Sequence, residues 1–274
     1  GVISPEHRVC DVLSELSMSG REAILVRHLL TYTLGTDYAL SSFKDGTVES
    51  ITRHVFSTAP TAEPGTTFRY ANTPAFLLGL YLERVVGMSL DEIAKQRLFE
   101  PLGMHDTCFL PPASMRTSIV PTEIVESRGL VQGVVHDESA AVFARAGRVV
   151  GHAGLFSTVP DILAVLEMLL DDGVYKGVRY FSSSLMVQMR TNQFKDFSHT
   201  VGLGWELNQD HFMGTLRHAN TFGKTGFTGT SCIVDCDRGV AFVLLSNRVY
   251  PKRPERSYAI NAIRSVLADA LFAE

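Results

Sequence analysis

A serine and a lysine stand three positions apart in the segment YALSSFKDGTVES, residues 38–50, as Ser41 and Lys44. Ser-x-x-Lys is the nucleophile pattern of one class of acyl-transfer enzymes, in which the serine attacks a carbonyl carbon. Gly46 follows closely, however, and no amphipathic pattern surrounds the pair. Because so short a motif often arises by chance, we interpret this pair as a coincidence in a loop.

A second candidate is the segment TFGKTGFTGTS, which carries Lys224, Thr225 and Gly226 with glycines on both sides. A lysine at the edge of a strand offers a fixed cation for a carboxylate or a developing anion. Glycines beside it would let a substrate backbone approach the strand closely. The alternative is a solvated lysine in a glycine-rich turn, and the tripeptide alone does not decide between the two.

A third candidate is TFRYANTPAF, in which Tyr70 and Asn72 flank one small residue before an amphipathic helix. A tyrosine titrates near ~10 in water, so it is a poor base at neutral pH unless neighbouring ammonium groups favour its phenolate. The amide of Asn72 could hold a substrate carbonyl or a nearby lysine. The alternative makes Tyr70 a boundary aromatic residue and Asn72 the N-cap of the helix.

Longer stretches around these motifs match one family in order along the chain. The stretch PGTTFRYANTPAFLLGLYLERVVGMSLDEIAKQRLFEPLGMHDT resembles the serine β-lactamase and penicillin-binding-protein superfamily, especially its class C-like esterase and DD-peptidase branch. VRHLLTYTLG is similar to that family's LLTHTSG segment, from which Tyr32 and Leu34 depart. Further matches are GHAGLFSTVPDILAVLEMLLDDG, VGLGWELN and FGKTGFTGTSCIVDCDRGVAFVLLSNRVYP.

The resemblance implies an α+β fold of the β-lactamase/DD-peptidase type, in which an antiparallel sheet flanked by helices faces a helical lobe across a cleft. It implies that Tyr70 is the partner base, Asn72 a positioning amide and Lys224 the cation that recognises a substrate carboxylate. Thr225, Gly226 and Thr228 would align the substrate. We expect residues 1–23 and 191–274 to form the α/β lobe, and residues 24–190 to form the mainly helical lobe.

The family places its nucleophile on a helix before the LLTHTSG segment, whereas Ser41 and Lys44 follow the matching segment here. Residues 1–31 contain no Ser-x-x-Lys. We therefore expect this chain to lack the first strands and the nucleophile helix of the family. The remaining sheet would then have an unpaired edge and an exposed apolar face, which could pair with an N-terminal segment or with another chain.

Periodicity predicts the elements that position these residues. NTPAFLLGLYLERVVG has apolar residues at helical spacing, with Asn72 at the N-cap and Gly87 at the end, and SLDEIAKQRLFEPLG is a second helix that stops at Pro101. STVPDILAVLEMLLDDG is a third, with Thr158 and Asp161 as an approximate capping box. TSCIVDC and GVAFVLLSN predict a hairpin whose second strand is buried on both faces. Residues 257–274 predict a helix with one apolar stripe: Ile260, Ile263, Leu267 and Leu271.

Composition excludes several classes of partner. The 274 residues carry 25 basic and 29 acidic side chains, a net charge of −4, and no basic face for nucleic acid. No apolar run is long enough to span a bilayer. The four cysteines lack zinc-site spacing, so we expect free structural thiols and no metal. The acyl-transfer chemistry that the resemblance implies needs no organic cofactor either. Residues 1–20 do not resemble a signal peptide, which leaves the compartment open.

Three functions remain in competition. The first is an acyl-transfer serine hydrolase acting on a small molecule or peptide with a carboxylate: a β-lactam, a D-Ala-D-Ala peptide or an ester, with a leaning towards peptidase or esterase. The second is a non-catalytic relative that binds peptidoglycan stems or another peptide. The third keeps Ser41 as the nucleophile of a rearranged site. His152 and the run His136-Asp137-Glu138 lie near matched segments, and we expect structural turns there.

Overall fold

A computed structural model describes residues 3–18, 20–36, 40–43, 45–194, 199–255 and 259–273. The α-helices of these residues are α1 (Val26–Leu30), α2 (Val48–Ser57), α3 (Asn72–Val86), α4 (Leu90–Ala94), α5 (Glu100–Leu102), α6 (Glu138–Arg145), α7 (Val159–Leu170), α8 (Ser183–Arg190), α9 (Asp210–Met213) and α10 (Ile260–Phe272). The strands are β1 (Cys108–Phe109), β2 (Glu123–Val125), β3 (Gly129–Val131), β4 (Leu155–Phe156), β5 (Val174–Tyr175), β6 (Val178–Arg179), β7 (Glu206–Leu207), β8 (Phe222–Thr225), β9 (Ser231–Asp235) and β10 (Val240–Leu244). The α+β class predicted from the sequence is confirmed.

The chain divides into two compact units. Unit 1 comprises Gly1–Leu98, Cys108–Pro111 and Val134–Phe156, and unit 2 comprises Phe99–Thr107, Pro112–Gly133 and Ser157–Glu274. The lobe boundaries expected from the sequence were drawn on different grounds, namely periodicity and family resemblance. They stay a prediction.

Helix α3 is the central element of unit 1 and packs against α1. Its buried residues include Phe76, Leu77 and Tyr81, and the Phe76 ring meets that of Phe143 with centroids 5.2 Å apart. The helix was predicted correctly, including its end, because Gly87 adopts the left-handed φ of 74° that glycine tolerates. Its N-cap is Ala71 rather than Asn72, and Ala71 makes no side-chain capping bond.

The helical region after α3 begins as predicted but does not end as predicted. Ser89 and Glu92 form the capping box of α4. Pro101, however, does not stop the helix: a π-helical segment, Lys95–Phe99, runs directly into α5, in which Pro101 is the second residue. Gly103, with a φ of 72°, provides the actual end.

Unit 2 contains the largest sheet of the described residues, an antiparallel sheet with strand order β10-β9-β8-β7. The predicted hairpin is β9 and β10, paired from Val240 with Asp235 to Leu244 with Ser231. The prediction that its second strand is buried on both faces is wrong. All five residues of β10 are half-buried. The reason is that β10 is the edge strand of this sheet, and within the described residues only β9 pairs with it.

The C-terminal helix α10 packs on α9, but the predicted apolar stripe is not its buried face. Its buried residues are Arg264, Ala268 and Phe272, whereas Ile263 and Leu267 are exposed. Arg264 turns inward because its guanidinium bonds carbonyl groups of the turn after β8. Ala268 and Phe272 join an apolar cluster with Phe212, Met213 and Ile233.

Helix α7 packs against β9 and β10. Thr158 is its N-cap, as predicted, but makes no side-chain capping bond. Instead of completing a capping box, the buried Asp161 carboxylate accepts hydrogen bonds from the Asp106 N–H at 2.9 Å and the Thr107 hydroxyl at 2.7 Å. Across the described residues, no helix combines the length and apolar character that crossing a bilayer requires.

Candidate functional site

Lys224 lies within strand β8 of unit 2, where its neighbours on β9 fix its place. In the ladder Lys224 pairs with Cys232 and Thr225 with Ser231. The Lys224 Nζ is 3.7 Å from Oε1 of Glu206, a residue of the next strand, β7, and only a quarter of the lysine side chain is exposed. The alternative of a solvated lysine in a turn is therefore wrong, since this ammonium is held on a strand beside a buried carboxylate.

The glycines around Lys224 serve the packing of the sheet itself. A Cβ at Gly223 would collide with the Cys232 carbonyl of the neighbouring strand and crowd the ring of Phe212. A Cβ at Gly226 would meet the Thr230 hydroxyl. These close approaches require glycine without any ligand, so the glycines by themselves do not indicate a substrate backbone.

The turn after β8 is fixed by hydrogen bonds at both ends. The Gly226 N–H donates to the Thr230 carbonyl at 2.8 Å, and the Gly229 N–H donates to the Gly226 carbonyl at 3.1 Å. The Thr228 carbonyl accepts from the backbone N–H of Arg248 at 3.0 Å. Thr225, Gly226 and Thr228, the predicted substrate-binding residues, therefore lie together on one rigid strand end and turn.

Arg264 ties this turn to helix α10. Its Nη2 donates to the carbonyl oxygens of Gly226 at 3.1 Å and Thr230 at 2.6 Å, and its Nη1 donates to Asn261 Oδ1 at 2.7 Å. Burial lowers the pKa of Arg264 to about 10, with a smaller lowering from the charge of Arg248. The guanidinium is therefore still charged at neutral pH and supplies charge-assisted bonds to the turn.

Cys232, the ladder partner of Lys224, is not a nucleophile candidate. Its burial raises the pKa of the thiol to about 11, although the backbone N–H and the charge of Lys224 oppose the shift. A thiol with so high a pKa stays protonated at neutral pH and is inert. Cys10, Cys108 and Cys236 are free as well.

Tyr70 lies in unit 1, just before α3, with 62% of its surface exposed. Its ring stacks on Tyr32 with the ring centroids 5.1 Å apart, and the Arg69 N–H donates to the Tyr32 carbonyl at 2.9 Å. Tyr32, one of the two departures from the family pattern, has a positive φ of 57°. The sequence difference thus places an aromatic ring directly against the predicted base.

Asn72 does not cap helix α3; its side chain is used elsewhere. Its Nδ2 donates a hydrogen bond to Oδ2 of Asp137 at 3.2 Å, a contact between residues 65 positions apart in the chain. The alternative that Asn72 is merely a helix cap is therefore wrong. Asp137 is itself the N-cap of α6, where its Oδ1 accepts from the Ala140 N–H at 2.8 Å.

Ser139 and His152 complete a cluster that we call the Asp137 network: Asn72, Asp137, Ser139 and His152. The Ser139 hydroxyl donates to Asp137 Oδ1 at 2.8 Å and lies 3.0 Å from His152 Nε2. His152 Nε2 also lies 3.5 Å from Asp137 Oδ1. The Ser139 hydroxyl donates its proton to Asp137, so its oxygen is left to accept one from His152. We therefore assign the histidine proton to Nε2, on the basis of this hydrogen-bond network.

Serine, histidine and aspartate are the residue types of a hydrolytic triad, but the geometry here excludes one. In a triad the serine and the aspartate bind opposite nitrogens of the imidazole. Here both face Nε2, and the buried Nδ1 has no hydrogen-bond partner among the described residues. Ser139 is also fully buried. The sequence prediction of a structural role for His152 stays a prediction, and Asp137 gains a direct contact with a candidate site residue.

Asp137 carries a negative charge at neutral pH. Burial alone would raise the pKa of its carboxyl, but hydrogen bonds from His152, Ala140 N–H and Ser139 outweigh that effect and hold the pKa below its usual range. The close approach of the two segments depends on Gly151, at which a Cβ would collide with the Ala75 carbonyl of α3. His152 thereby lies against Phe76, with ring centroids 6.2 Å apart.

Among the residues that the structure describes, one cluster has the ligand types of a metal site: His218, Asp235 and Asp237, whose candidate ligand atoms lie within 4.8 Å of one another. The Asp235 carboxylate, however, already accepts bonds from the Thr221 hydroxyl at 3.0 Å and from the guanidinium of Arg238 at 2.6 Å. Its other oxygen, Oδ1, accepts from the Arg238 N–H at 3.0 Å. With both carboxylate oxygens bonded in this way, Asp235 forms an ion-pair network, and the cluster does not fit a metal.

The outcome for the sequence-predicted residues is therefore mixed. Tyr70 and Asn72 lie together in unit 1, and Lys224, Thr225, Gly226 and Thr228 lie together in unit 2; their common action stays a prediction. Lys44 and the side chain of Ser41 lie outside the described residues, and Leu40–Phe43 is a four-residue 3-10 helix. Sequence reasoning did not assign roles to Asp137, Glu206 or Arg264. All three fall in segments that it had singled out, Arg264 in the predicted C-terminal helix of residues 257–274.

Comparison with known proteins places this arrangement among related chains. The chain is 34% identical over 204 residues to a protein of Escherichia coli O157:H7 that is named as a D-alanyl-D-alanine carboxypeptidase; the match covers 68% of this chain and 46% of that protein. The chain therefore spans about half the length of the curated relatives it matches.

Solved structures share the fold. A penicillin-binding protein homologue from Caulobacter crescentus superposes with a TM-score of 0.75 at 19% identity, over 99% of this chain and 77% of that one. A β-lactamase/D-alanine carboxypeptidase from Pseudomonas syringae gives a TM-score of 0.73 at 21% identity, over 97% and 78%. The model of the family described as Beta-lactamase matches residues 1–265, so this chain belongs to the β-lactamase family of serine hydrolases.

Proposed function

We propose that the protein is a penicillin-binding-protein-like hydrolase that transfers an acyl group from its substrate to a serine and then to water. The observation that carries the proposal is the position of Lys224, an ammonium three-quarters buried on strand β8 beside a turn held rigid by Arg264. Lysine is seldom buried to this extent unless a partner compensates its charge, and here Glu206 Oε1 lies 3.7 Å from the ammonium. A fixed cation of this kind can bind a substrate carboxylate and stabilise a developing negative charge.

In this proposal Tyr70 accepts the proton of the attacking hydroxyl, Asn72 positions the reacting groups, and Lys224 both binds the substrate carboxylate and favours the tyrosine phenolate. An ammonium near a phenol favours its charged form, which makes tyrosine a usable base at neutral pH. Thr225, Gly226 and Thr228 align the substrate along the strand end. This chemistry needs no metal and no organic cofactor.

The proposed nucleophile is a serine of a Ser-x-x-Lys pair other than Ser41 and Lys44. That pair follows the LLTYTLG segment, whereas the family's nucleophile precedes its matching segment. The relatives' greater length leaves room for such a pair outside residues 1–274.

The proposed substrate is a peptide that ends in D-alanine with a free carboxylate. The name of the Escherichia coli relative supports this choice over β-lactams and small esters, and a terminal carboxylate suits the cation of Lys224. We also propose that the open edge of β10 pairs with a further strand, from a segment N-terminal to residue 1 or from another chain, because β10 pairs with β9 alone within the described ranges.

The test is covalent labelling of the protein made from its complete reading frame. A fluorescent penicillin should add one acyl group, located by intact mass and peptide mapping on a serine of Ser-x-x-Lys, and the protein should release D-alanine from a D-Ala-D-Ala peptide faster than it hydrolyses nitrocefin or a p-nitrophenyl ester. No adduct and no hydrolysis of any substrate would instead favour the non-catalytic binding relative. An adduct on Ser41 would reinstate that residue as the nucleophile.

A further inference from the structure

The contact with Asp137 determines the orientation of the Asn72 amide. Its partner Asp137 is ionised, so both carboxylate oxygens can only accept hydrogen bonds. The end of the amide that faces Asp137 must therefore be the NH2 group. The carbonyl Oδ1 of Asn72 then points away from Asp137 and is left to accept a hydrogen bond from another group.

The carboxylate that imposes this orientation is itself held on several sides. Oδ1 of Asp137 accepts from the Ala140 N–H and the Ser139 hydroxyl, both at 2.8 Å, and Ser139 is in turn 3.0 Å from the imidazole of His152. Ser139 is completely buried, and the His152 side chain is 1% exposed. Oδ2 is thus the oxygen that remains for Asn72, and it cannot rotate away without breaking the cap of α6.

We propose that Asp137 is a positioning residue that sets the Asn72 amide so that its oxygen accepts a hydrogen bond from a lysine ammonium or a substrate N–H. The inference rests on the proposed function and deepens it, since it specifies that Asn72 presents an acceptor. A substrate with a peptide N–H beside the scissile carbonyl satisfies that acceptor, whereas a simple ester does not. A site built to bond an N–H discriminates against analogues that lack it.

The kinetic test compares Asp137→Asn, Asn72→Ala and the double variant in the complete protein. An amide at 137 can still cap α6 with its oxygen, but it then turns its own NH2 towards that of Asn72 and forces the Asn72 amide to rotate. We expect Asp137→Asn to lower kcat on the peptide by about tenfold or more while KM changes by less than about threefold. The double variant should be no slower than Asn72→Ala alone.

The matched control is Asp161→Asn in unit 2, which alters a buried aspartate that accepts two hydrogen bonds near the start of a helix. It should lower the melting temperature about as much as Asp137→Asn and leave kcat unchanged. Should the losses of Asp137→Asn and Asn72→Ala multiply in the double variant, Asp137 would act independently of Asn72 and the proposal would be overturned. An equal loss of kcat in Asp161→Asn would overturn it as well.

A second measurement separates this inference from the proposed function. In ¹⁵N spectra of the same protein, the side-chain amide pair that disappears in Asn72→Ala identifies the Asn72 NH2. We expect that pair to exchange slowly with solvent in the wild type and rapidly in Asp137→Asn, with no change in Asp161→Asn. A protected amide in a protein without hydrolase activity would refute the proposed function but keep the orientation. An amide that Asp137→Asn leaves unchanged would refute the orientation itself.

Discussion

At the scale of single residues, Lys224 and Tyr70 differ sharply in their surroundings. Lys224 is mostly buried and held near Glu206, whereas Tyr70 is mostly exposed and stacked on Tyr32. A buried cation keeps its strength because water does not screen it, and an exposed phenol needs a neighbouring charge before it can act as a base. The proposed roles follow this difference: the lysine provides a fixed charge, and the tyrosine moves a proton.

The first prediction is that Lys224→Ala and Tyr70→Phe each lower turnover of the complete protein by about tenfold or more, the scale of a positioned acid–base group. Lys224→Ala should in addition raise KM for a substrate with a carboxylate. Steady-state kinetics on the D-Ala-D-Ala peptide measure both effects.

As controls, Tyr180→Phe removes a hydroxyl that donates to the Pro101 carbonyl at 3.0 Å, and Lys176→Ala removes a lysine that lies over the Tyr175 ring. Unchanged kinetics in both site variants would refute the site assignment.

The second prediction concerns how the contribution of Asp137 to the free energy of unfolding changes in acid. Its pKa is lowered in the folded protein, so its contribution to the free energy of unfolding is complete above the ordinary pKa of about 4 and is lost as the pH falls towards the folded value. The difference in unfolding free energy between wild type and Asp137→Asn should therefore narrow as the pH falls below about 4. Urea unfolding at several pH values measures it.

Glu126→Gln, which removes one exposed carboxylate from the turn between β2 and β3, is the control for a general change in net charge. If the difference in unfolding free energy between wild type and Asp137→Asn stays constant or widens as the pH falls, the charged form of Asp137 does not stabilise the fold.

How far these residues could be predicted depends on whether their role is local. Tyr70, Asn72 and Lys224 belong to short motifs, so their place before a helix or on a strand follows from neighbouring residues. The contact of Asn72 with Asp137 does not, because it joins segments 65 residues apart and depends on the packing of α3 against the turn at Gly151. Asp137 lies in the segment VVHDESA, but the residues around it did not indicate a contact with Asn72.

At the scale of elements, local signals predicted the type of most elements, while the faces they bury depended on tertiary contacts. The hairpin β9–β10 and helices α3, α7 and α10 follow from periodicity and end signals. Hydropathy pointed to the wrong face of α10, because the bonds from Arg264 to the turn after β8 turn the helix so that a charged residue is buried and Ile263 is exposed. Such long-range polar contacts have no signature in the periodicity of a single helix.

The third prediction follows from this contact. Arg264→Met keeps the apolar stem but removes the charged donor that the Gly226 and Thr230 carbonyls share, so that each keeps only its backbone partner. Hydrogen bonds from a charged group contribute about 1.5–3 kcal/mol. We expect a loss of that order in the free energy of unfolding, measured with urea. Arg264→Lys should recover only part of it, since an ammonium lacks the second nitrogen that lets Arg264 bond Asn261 and the turn together.

Asn261→Ala is the matched control for Arg264→Met. It removes a single partner of the guanidinium and leaves both bonds to the turn, so it should cost clearly less. An Arg264→Met variant as stable as the wild type would show that the turn after β8 does not depend on helix α10.

At the scale of the whole molecule, the exposed apolar surface of unit 2 is the feature that governs behaviour in solution. Helix α10 exposes 54% of Ile263, 68% of Val266 and 42% of Leu267. Strand β10 pairs with β9 alone within the part of the chain that the structure describes. Contiguous apolar side chains and an open strand edge both promote association with other chains.

The fourth prediction is therefore that the 274-residue chain associates with itself as its concentration rises, and that Val266→Lys weakens the association. A lysine at so exposed a position interrupts the apolar face while leaving the buried face of Arg264, Ala268 and Phe272 intact, so the fold should be retained. Sedimentation velocity over a range of concentrations measures the effect.

Val187→Lys on α8, where 54% of the valine is exposed, is the control for added positive charge. If the wild-type chain stays monomeric, or if Val187→Lys disperses it equally well, the apolar face of α10 is not the surface of association, and pairing at the edge of β10 would have to be tested separately.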